Sequence, residues 1–225
     1  MRRLRIAFIA NRLTVGGLEK VILSLARGLD RDRFDPSLVC LVEQGPLFVE
    51  AQAAGIPAVR LAGSPSLRPS MLARSLSCLA SLRTWLREHR PDVIQTHLFY
   101  SQILAGLASR SLSLSCRIHV EQNFYRWKKG MARILERLAL GSTGVLVLPT
   151  RVLAQFHRQR LGLAPDRVVV IPNGVGEGQP MSRTAWREAF GFPPGHIVVG
   201  LAERLVPPKR QDLFLEAARL ASQGN

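Results

Sequence analysis

Short, nearly unbroken apolar runs alternate along this chain with longer stretches whose apolar positions recur every three to four residues. The runs "RIAFIA" (5–10), "SLVCLV" (37–42), "IPAVRL" (56–61), "DVIQTH" (92–97), "RIHVEQ" (117–122), "GVLVLP" (144–149) and "RVVVIP" (167–172) predict seven strands. Their lack of polar alternation is what a parallel sheet covered on both faces requires. Helical periodicity over 17–29, 71–89, 101–109, 128–140 and 150–161 supplies the crossovers. The pattern predicts an α/β fold, a Rossmann-like, doubly wound parallel sheet with ligands at the carboxyl ends of its strands.

Residues 173–195 interrupt this alternation. Glycine, proline and polar residues gather there around one short amphipathic segment at 182–190, which reads as an interdomain linker. After it, "HIVVGLAERL" (196–205) predicts a strand and "RQDLFLEAARLAS" (210–222) a helix. A single β-α unit cannot bury its own apolar faces, so a second, truncated Rossmann-like domain is expected to start here. The predicted division is therefore a first domain at 1–172, a linker at 173–195 and the opening of a second domain at 196–225.

Composition changes the picture in two respects. The 225 residues are 47% apolar, enough for a packed core, while the formal net charge is +15. Such a charge suits nucleic acid, anionic lipid or phosphorylated ligands, and an arginine-rich composition could produce it without any partner. Nucleic acid is not expected, because no RNP, helix-turn-helix or zinc pattern accompanies the charge. Two segments concentrate it: "LRPSMLARSLSCLASLRTWLREHR" (67–90) and "YRWKKGMARILERL" (125–138). Basic amphipathic helices with aromatic residues fit an anionic membrane surface; the other reading is a solvated outer face of a domain helix. Cys40, Cys78 and Cys116 are isolated and odd in number, which suggests neither a metal site nor a disulfide framework and fits a reducing cytoplasm. The basic start "MRR" precedes an apolar run of about seven residues, too short for a signal sequence and better read as a buried strand.

Candidate chemistry begins at "NRLTVGGLEK" (11–20). The glycine pair lacks the GxGxxG spacing of a dinucleotide loop, and no GK[ST] follows it. Glycines before a helix N-terminus, with its free N–H groups, suit an anion or a hydroxyl-rich ligand; a tight turn is the simpler alternative. Taken in order, "GGLEK", "DVIQTHLF" (92–99), "VVVIPNGV" (168–175) and "GLAERLVPPKRQDLFLEAARL" (200–220) resemble the GT-B glycosyltransferases of family 4. The resemblance covers essentially the whole chain, as an acceptor-side domain followed by the start of a donor-side domain.

That resemblance implies a retaining enzyme transferring a sugar from a nucleotide-diphosphate-sugar donor to a lipid-linked or polysaccharide acceptor, with no cofactor and no metal. It implies a cytoplasmic location, peripheral to the inner face of the cell membrane. Gly16 and Gly17 would face the interdomain cleft, Asn173 would sit near the hinge, and Arg204 and Lys209 would clamp the donor diphosphate. Fixed cations there would stabilise a departing diphosphate. His97, at the carboxyl end of a predicted strand, matches a histidine often present in the family, whereas His119 reads as structural. The chain departs from the family at Gln122, where a histidine is usual. Glutamine can hydrogen-bond sugar hydroxyls but cannot exchange a proton near neutral pH. Glu121 beside it is a carboxylate candidate, with an ion pair to an arginine as the alternative. The family's acidic E-x7-E signature would lie beyond Asn225, so this stretch alone is expected to be inactive. A non-catalytic α/β module that binds a glycan or an anionic partner is the competing expectation.

Overall fold

The computed structural model describes residues 2–61, 72–125, 130–141, 144–174, 181–203 and 205–223. The seven predicted strands form as β1 (Leu4–Arg12), β2 (Phe34–Glu43), β3 (Ala58–Arg60), β4 (Val93–His97), β5 (Cys116–Val120), β6 (Val145–Leu148) and β7 (Val168–Val170). All adjacent pairs are parallel, in the order β3-β2-β1-β4-β5-β6-β7. The chain therefore winds outward from β1 in one direction, returns, and winds outward from β4 in the other. This is the Rossmann-like topology that the apolar runs predicted.

The helices α1 (Gly17–Gly28), α3 (Leu72–His89), α4 (Phe99–Ala108), α5 (Met131–Leu140) and α6 (Arg151–Leu161) carry the crossovers. Residues 67–71 and 126–129 of the two basic segments lie outside the described residues. One helix, α2 (Pro46–Ala53), has no counterpart in the periodicity analysis. Pro46 occupies its first turn, where a missing N–H costs nothing. Helix α6 shows how local sequence sets both ends of an element. The Thr150 hydroxyl accepts the Leu153 N–H at 3.2 Å, and Gly162 closes the helix in the left-handed region at φ 62°.

Alternate residues of β1 feed two separate cores. Ile6, Phe8 and Ala10 pack with Ile22 and Ala26 of α1 and Phe48 of α2. Ala7 and Ile9 face the other way, against Leu82, Trp85 and Leu86 of α3 and Ala105 of α4. Period-two alternation with both faces apolar is what makes "RIAFIA" read as an unbroken run. Cys40 and Cys78 are buried free thiols, and burial pushes the Cys78 thiol up to about 11.

The chain divides into two compact units, Met1–Val175 and Gly176–Asn225. The second unit contains α7 (Arg183–Ala189), capped by the Ser182 hydroxyl, and α8 (Gln211–Gln223). The strand expected at 196–205 is a correction: its described residues join no sheet, and Ile197 is 92% exposed. A lone extended segment has no neighbour to satisfy its backbone groups, so apolar sequence alone does not make it a strand.

Helices α4 and α5 cross with Gly106 against Ala139; a Cβ on Gly106 would meet the Ala139 Cα at 2.5 Å. Gly106→Val should destabilise the first unit by about 1–3 kcal/mol through overpacking. Urea unfolding of this variant beside Gly28→Val, whose Cβ would meet nothing within 4 Å, separates that clash from a general loss of glycine.

Candidate functional site

A pocket of about 310 Å³ opens at the carboxyl ends of β1 and β4. Ala10, Asn11 and Arg12 supply one wall, Leu18, Glu19 and Ile22 of α1 another, and His97, Leu98 and Tyr100 a third. It lies where the strand order reverses, between α1 on one face of the sheet and α4 on the other, the usual ligand crevice of an open parallel sheet.

The glycine pair stands beside this pocket. Gly16 is the N-cap of α1 in extended backbone (φ −160°), so it needs no left-handed conformation. The Glu19 carboxylate folds over it, filling the place of a Cβ. Gly17 is different, for a Cβ there would meet nothing within 4 Å. The loop that carries the pair is held from below. The Leu13 N–H donates to the Glu43 carbonyl at 3.1 Å, Arg12 pairs with Glu43 at 3.4 Å, and Gly45 lies against the Leu13–Thr14 backbone so tightly that a Cβ would sit 2.5 Å from the Thr14 Cα. Gly45 was not among the residues singled out from sequence; its close approach depends on β2 and β1 being neighbours.

His97 ends β4 and is 1% exposed. The Gln95 amide nitrogen donates to its Nε2 at 3.2 Å, which leaves the imidazole proton on Nδ1. That Nδ1 is buried with no hydrogen-bond partner among the described residues. Desolvation lowers the ring pKa to about 3, so the group is neutral at physiological pH. His97 thus carries a buried ring nitrogen with its hydrogen-bonding capacity unused among the described residues, and it is a poor base. Leu98, next in the chain, takes φ 69° and ψ 172°, a region that side chains disfavour. Sequence reasoning gave no sign of that strained turn, because leucine is the wrong residue for it.

His119 is fully buried in β5, with Nδ1 2.6 Å from the Thr96 hydroxyl. Desolvation, with Arg117 and Arg167 adding to it, lowers its pKa to about 3, in accord with a structural role. His97 is in register with Val120, so Glu121 and Gln122 emerge at the same edge of the sheet. The buried Glu121 carboxylate accepts the backbone N–H groups of Gln122 (2.8 Å) and Asn123 (3.2 Å). Gln122 donates its amide to Asn173 Oδ1 at 3.3 Å, which joins the strand end to the segment after β7. His157 of α6, unnoticed in the sequence, donates Nε2–H to the Asn123 carbonyl at 2.9 Å; Arg160, itself paired with Glu136 at 2.5 Å, stands 3.3 Å from its other ring nitrogen. These contacts hold the loop after β5 in place.

The structure therefore gathers His97, Glu121, Gln122 and Asn173 along one edge, with the glycine pair at the neighbouring strand end. Arg204 lies outside the described residues. Lys209 belongs to the second unit, where it pairs with Glu203 at 2.8 Å. Among the described residues no group of three His, Cys, Asp or Glu side chains gathers for a metal ion.

The family model described as Glycosyltransferase Family 4 matches residues 15–177. This chain belongs to that family. A curated relative, the UDP-Gal:alpha-D-GlcNAc-diphosphoundecaprenol alpha-1,3-galactosyltransferase of Escherichia coli, is 25% identical over 99% of the chain and 59% of its own length. HepE of Anabaena, solved in complex with UDP, is 18% identical with a TM-score of 0.73, over 96% of this chain and 57% of its own. The lipopolysaccharide outer core galactosyltransferase WaaB, in its apo form, is 16% identical with a TM-score of 0.59, over 76% and 46%. The solved structures establish the GT-B glycosyltransferase fold, and this chain spans little more than half the length of the curated relative.

The buried histidines of β4 and β5, His97 and His119, give a pH dependence. Both folded pKa values lie below the ordinary 6.5, so the unfolded chain binds more protons between pH 6.5 and 3. Stability is therefore present above pH 6.5 and lost as the pH falls, by up to about 1.4 kcal/mol per pH unit for each histidine. Thermal unfolding between pH 7 and 5 should show a shallower decline in His119→Gln than in the unchanged protein.

Proposed function

We propose that this chain is the acceptor-side domain (1–172), linker (173–195) and opening donor-side segment (196–225) of a retaining glycosyltransferase. It would move a sugar from a nucleotide-diphosphate-sugar, uridine diphosphate as the carrier, to a lipid-linked or polysaccharide acceptor at the cytoplasmic face of a membrane. The observation that carries this reading is the crevice at the β1 and β4 ends, where Leu18 and Glu19, which follow the glycine pair in the chain, share a pocket with a buried, neutral His97 whose Nδ1 has no partner among the described residues. A pocket that offers Asn11, His97 and Tyr100 beside the charged Arg12 and Glu19 has donors and acceptors suited to sugar hydroxyls. The uridine carrier is supported by the relatives, a transferase named for UDP-galactose and HepE in complex with UDP.

In the proposed reaction the bond from the anomeric carbon to the phosphate oxygen breaks. The acceptor oxygen bonds to that carbon on the same face, and the acceptor's proton passes to the departing phosphate. No protein base is required, which agrees with a His97 that stays neutral and with glutamine at position 122. The chain's own groups position and stabilise. His97 and Gln122 hydrogen-bond hydroxyls, Asn173 steadies Gln122, and Arg204 and Lys209 meet the charge that gathers on the diphosphate. No metal is assigned a role.

Transfer from UDP-galactose or UDP-glucose to a diphosphate-linked lipid acceptor, assayed with the full-length protein, tests the reading. Lys209→Ala should lower kcat/KM about a hundredfold. Gly17→Val should abolish transfer while leaving the melting temperature within a few degrees of its starting value, since its Cβ enters open space. Residues 1–225 alone should bind without transferring. Full activity in Gly17→Val would reduce the glycine pair to a turn, and binding without any turnover by the full-length protein would favour a non-catalytic module.

A further inference from the structure

We propose that the outward face of α5 and α6, with Phe124 beside it, docks this protein on an anionic lipid surface. The proposal rests on the reading of a lipid-linked acceptor and assigns the surface that would meet its membrane. Among the described residues of the two basic segments, the second exposes the longer apolar stripe beside its arginines; the first exposes Leu76 alone among its large apolar side chains. In α3, Trp85 is buried in the core and stacks on His89 with ring centroids 4.2 Å apart, so that helix turns its aromatic inward.

Helix α5 does the reverse. Met131, Ile134 and Leu138, spaced to form one stripe, are 67%, 49% and 44% exposed. Arg133 and Arg137, one turn apart, are exposed with them. The adjoining α6 adds exposed Val152, and Phe124 meets Phe156 edge-on at 5.4 Å; the exposed Arg151 and Arg158 of α6 lie toward β7. The single acid on either helix, Glu136, is buried and paired with Arg160. The face therefore presents apolar side chains and guanidinium groups with no exposed carboxylate from either helix. A helix washed by water on its outer side would carry mixed charge instead.

Arginine beside an apolar stripe matches an anionic headgroup layer over acyl chains. An acidic protein partner would satisfy the arginines but gives no reason for the exposed stripe. Position fits as well. Each crossover helix begins at the carboxyl edge of the sheet, so Phe124 and Met131 lie on the side where the crevice opens. No helix among the described residues is long and apolar enough to cross a membrane.

Flotation of the full-length protein with phosphatidylcholine vesicles, with and without phosphatidylglycerol, tests the assignment. The unchanged protein should bind the anionic vesicles and lose them as salt rises. Arg133→Gln with Arg137→Gln should weaken that binding roughly thirtyfold, and Ile134→Ser with Leu138→Ser should weaken it at every salt concentration. An Arg83→Gln, Arg87→Gln pair on α3 should leave it unchanged. Equal binding to both vesicle types, unchanged binding in both α5 variants, or a dimer that the serine variants dissociate would overturn the proposal. Sugar transfer to a short, detergent-soluble acceptor, measured on the same proteins, should not change. If it is absent throughout while vesicle binding follows the prediction, the transferase reading fails and the docking surface stands.

Discussion

The reversal of strand order between β1 and β4 is the constraint on which the rest of this molecule depends. Parallel neighbours require crossovers, and crossovers are right-handed, so helices leading outward from β1 and from β4 must lie on opposite faces of the sheet. Helices α1 and α2 therefore cover one face and α3 and α4 the other, as the two β1 cores record. At the reversal the strand ends cannot be roofed by either set. Asn11, Arg12, His97 and Leu98 are left around a crevice, and the helix that follows β1 must start with a residue that leaves room. Glycine at 16 and 17 meets that need differently at each position: one carries the folded-back Glu19, the other stays open.

Buried polar groups along this edge are held with unusual economy. His97 and His119 sit in adjacent strands, and desolvation keeps both neutral. Burying an unshared imidazole donor costs free energy that apolar side chains would not, a cost that the proposed substrate would offset by sharing it. The loop after β5 is steadied from within by Glu121 and from α6 by His157. Gln122 is in turn tied to Asn173. A preformed edge whose imidazoles stay neutral agrees with the proposed chemistry, in which the leaving phosphate takes the proton. The cations that such chemistry needs are assigned to Arg204 and Lys209 by sequence motif.

The sheet was legible because its signal is dense: each run such as "RIAFIA" is apolar on both faces, and the intervening helices keep their periodicity. Helix α2 escaped because eight residues with apolar positions all round its axis show little period, although Gly45 and Pro46 mark its start. The strand expected at 196–205 did not form, since hydrophobic content cannot supply a pairing neighbour. Along the candidate site, the glycine pair, His97, Gln122 and Asn173 were singled out through linear motifs, and the structure places them at neighbouring strand ends. Gly45, Leu98 and His157 were not singled out, because their importance lies in a close backbone approach, a strained dihedral and a contact across 34 residues. None of these leaves a mark on neighbouring sequence.

The central claim is that donor and acceptor meet in the crevice at the β1 and β4 ends, with His97 as a neutral donor. Nitrogen-15 spectra of the full-length protein, with labelled histidine and glycine, address it directly. The account predicts a neutral, Nδ1-protonated His97 ring from pH 5 to 8, and a UDP-sugar with acceptor should shift that ring together with the Gly16 and Gly17 amides. A ring that titrates near pH 6.5, or ligand-induced shifts that bypass all three residues, would contradict it.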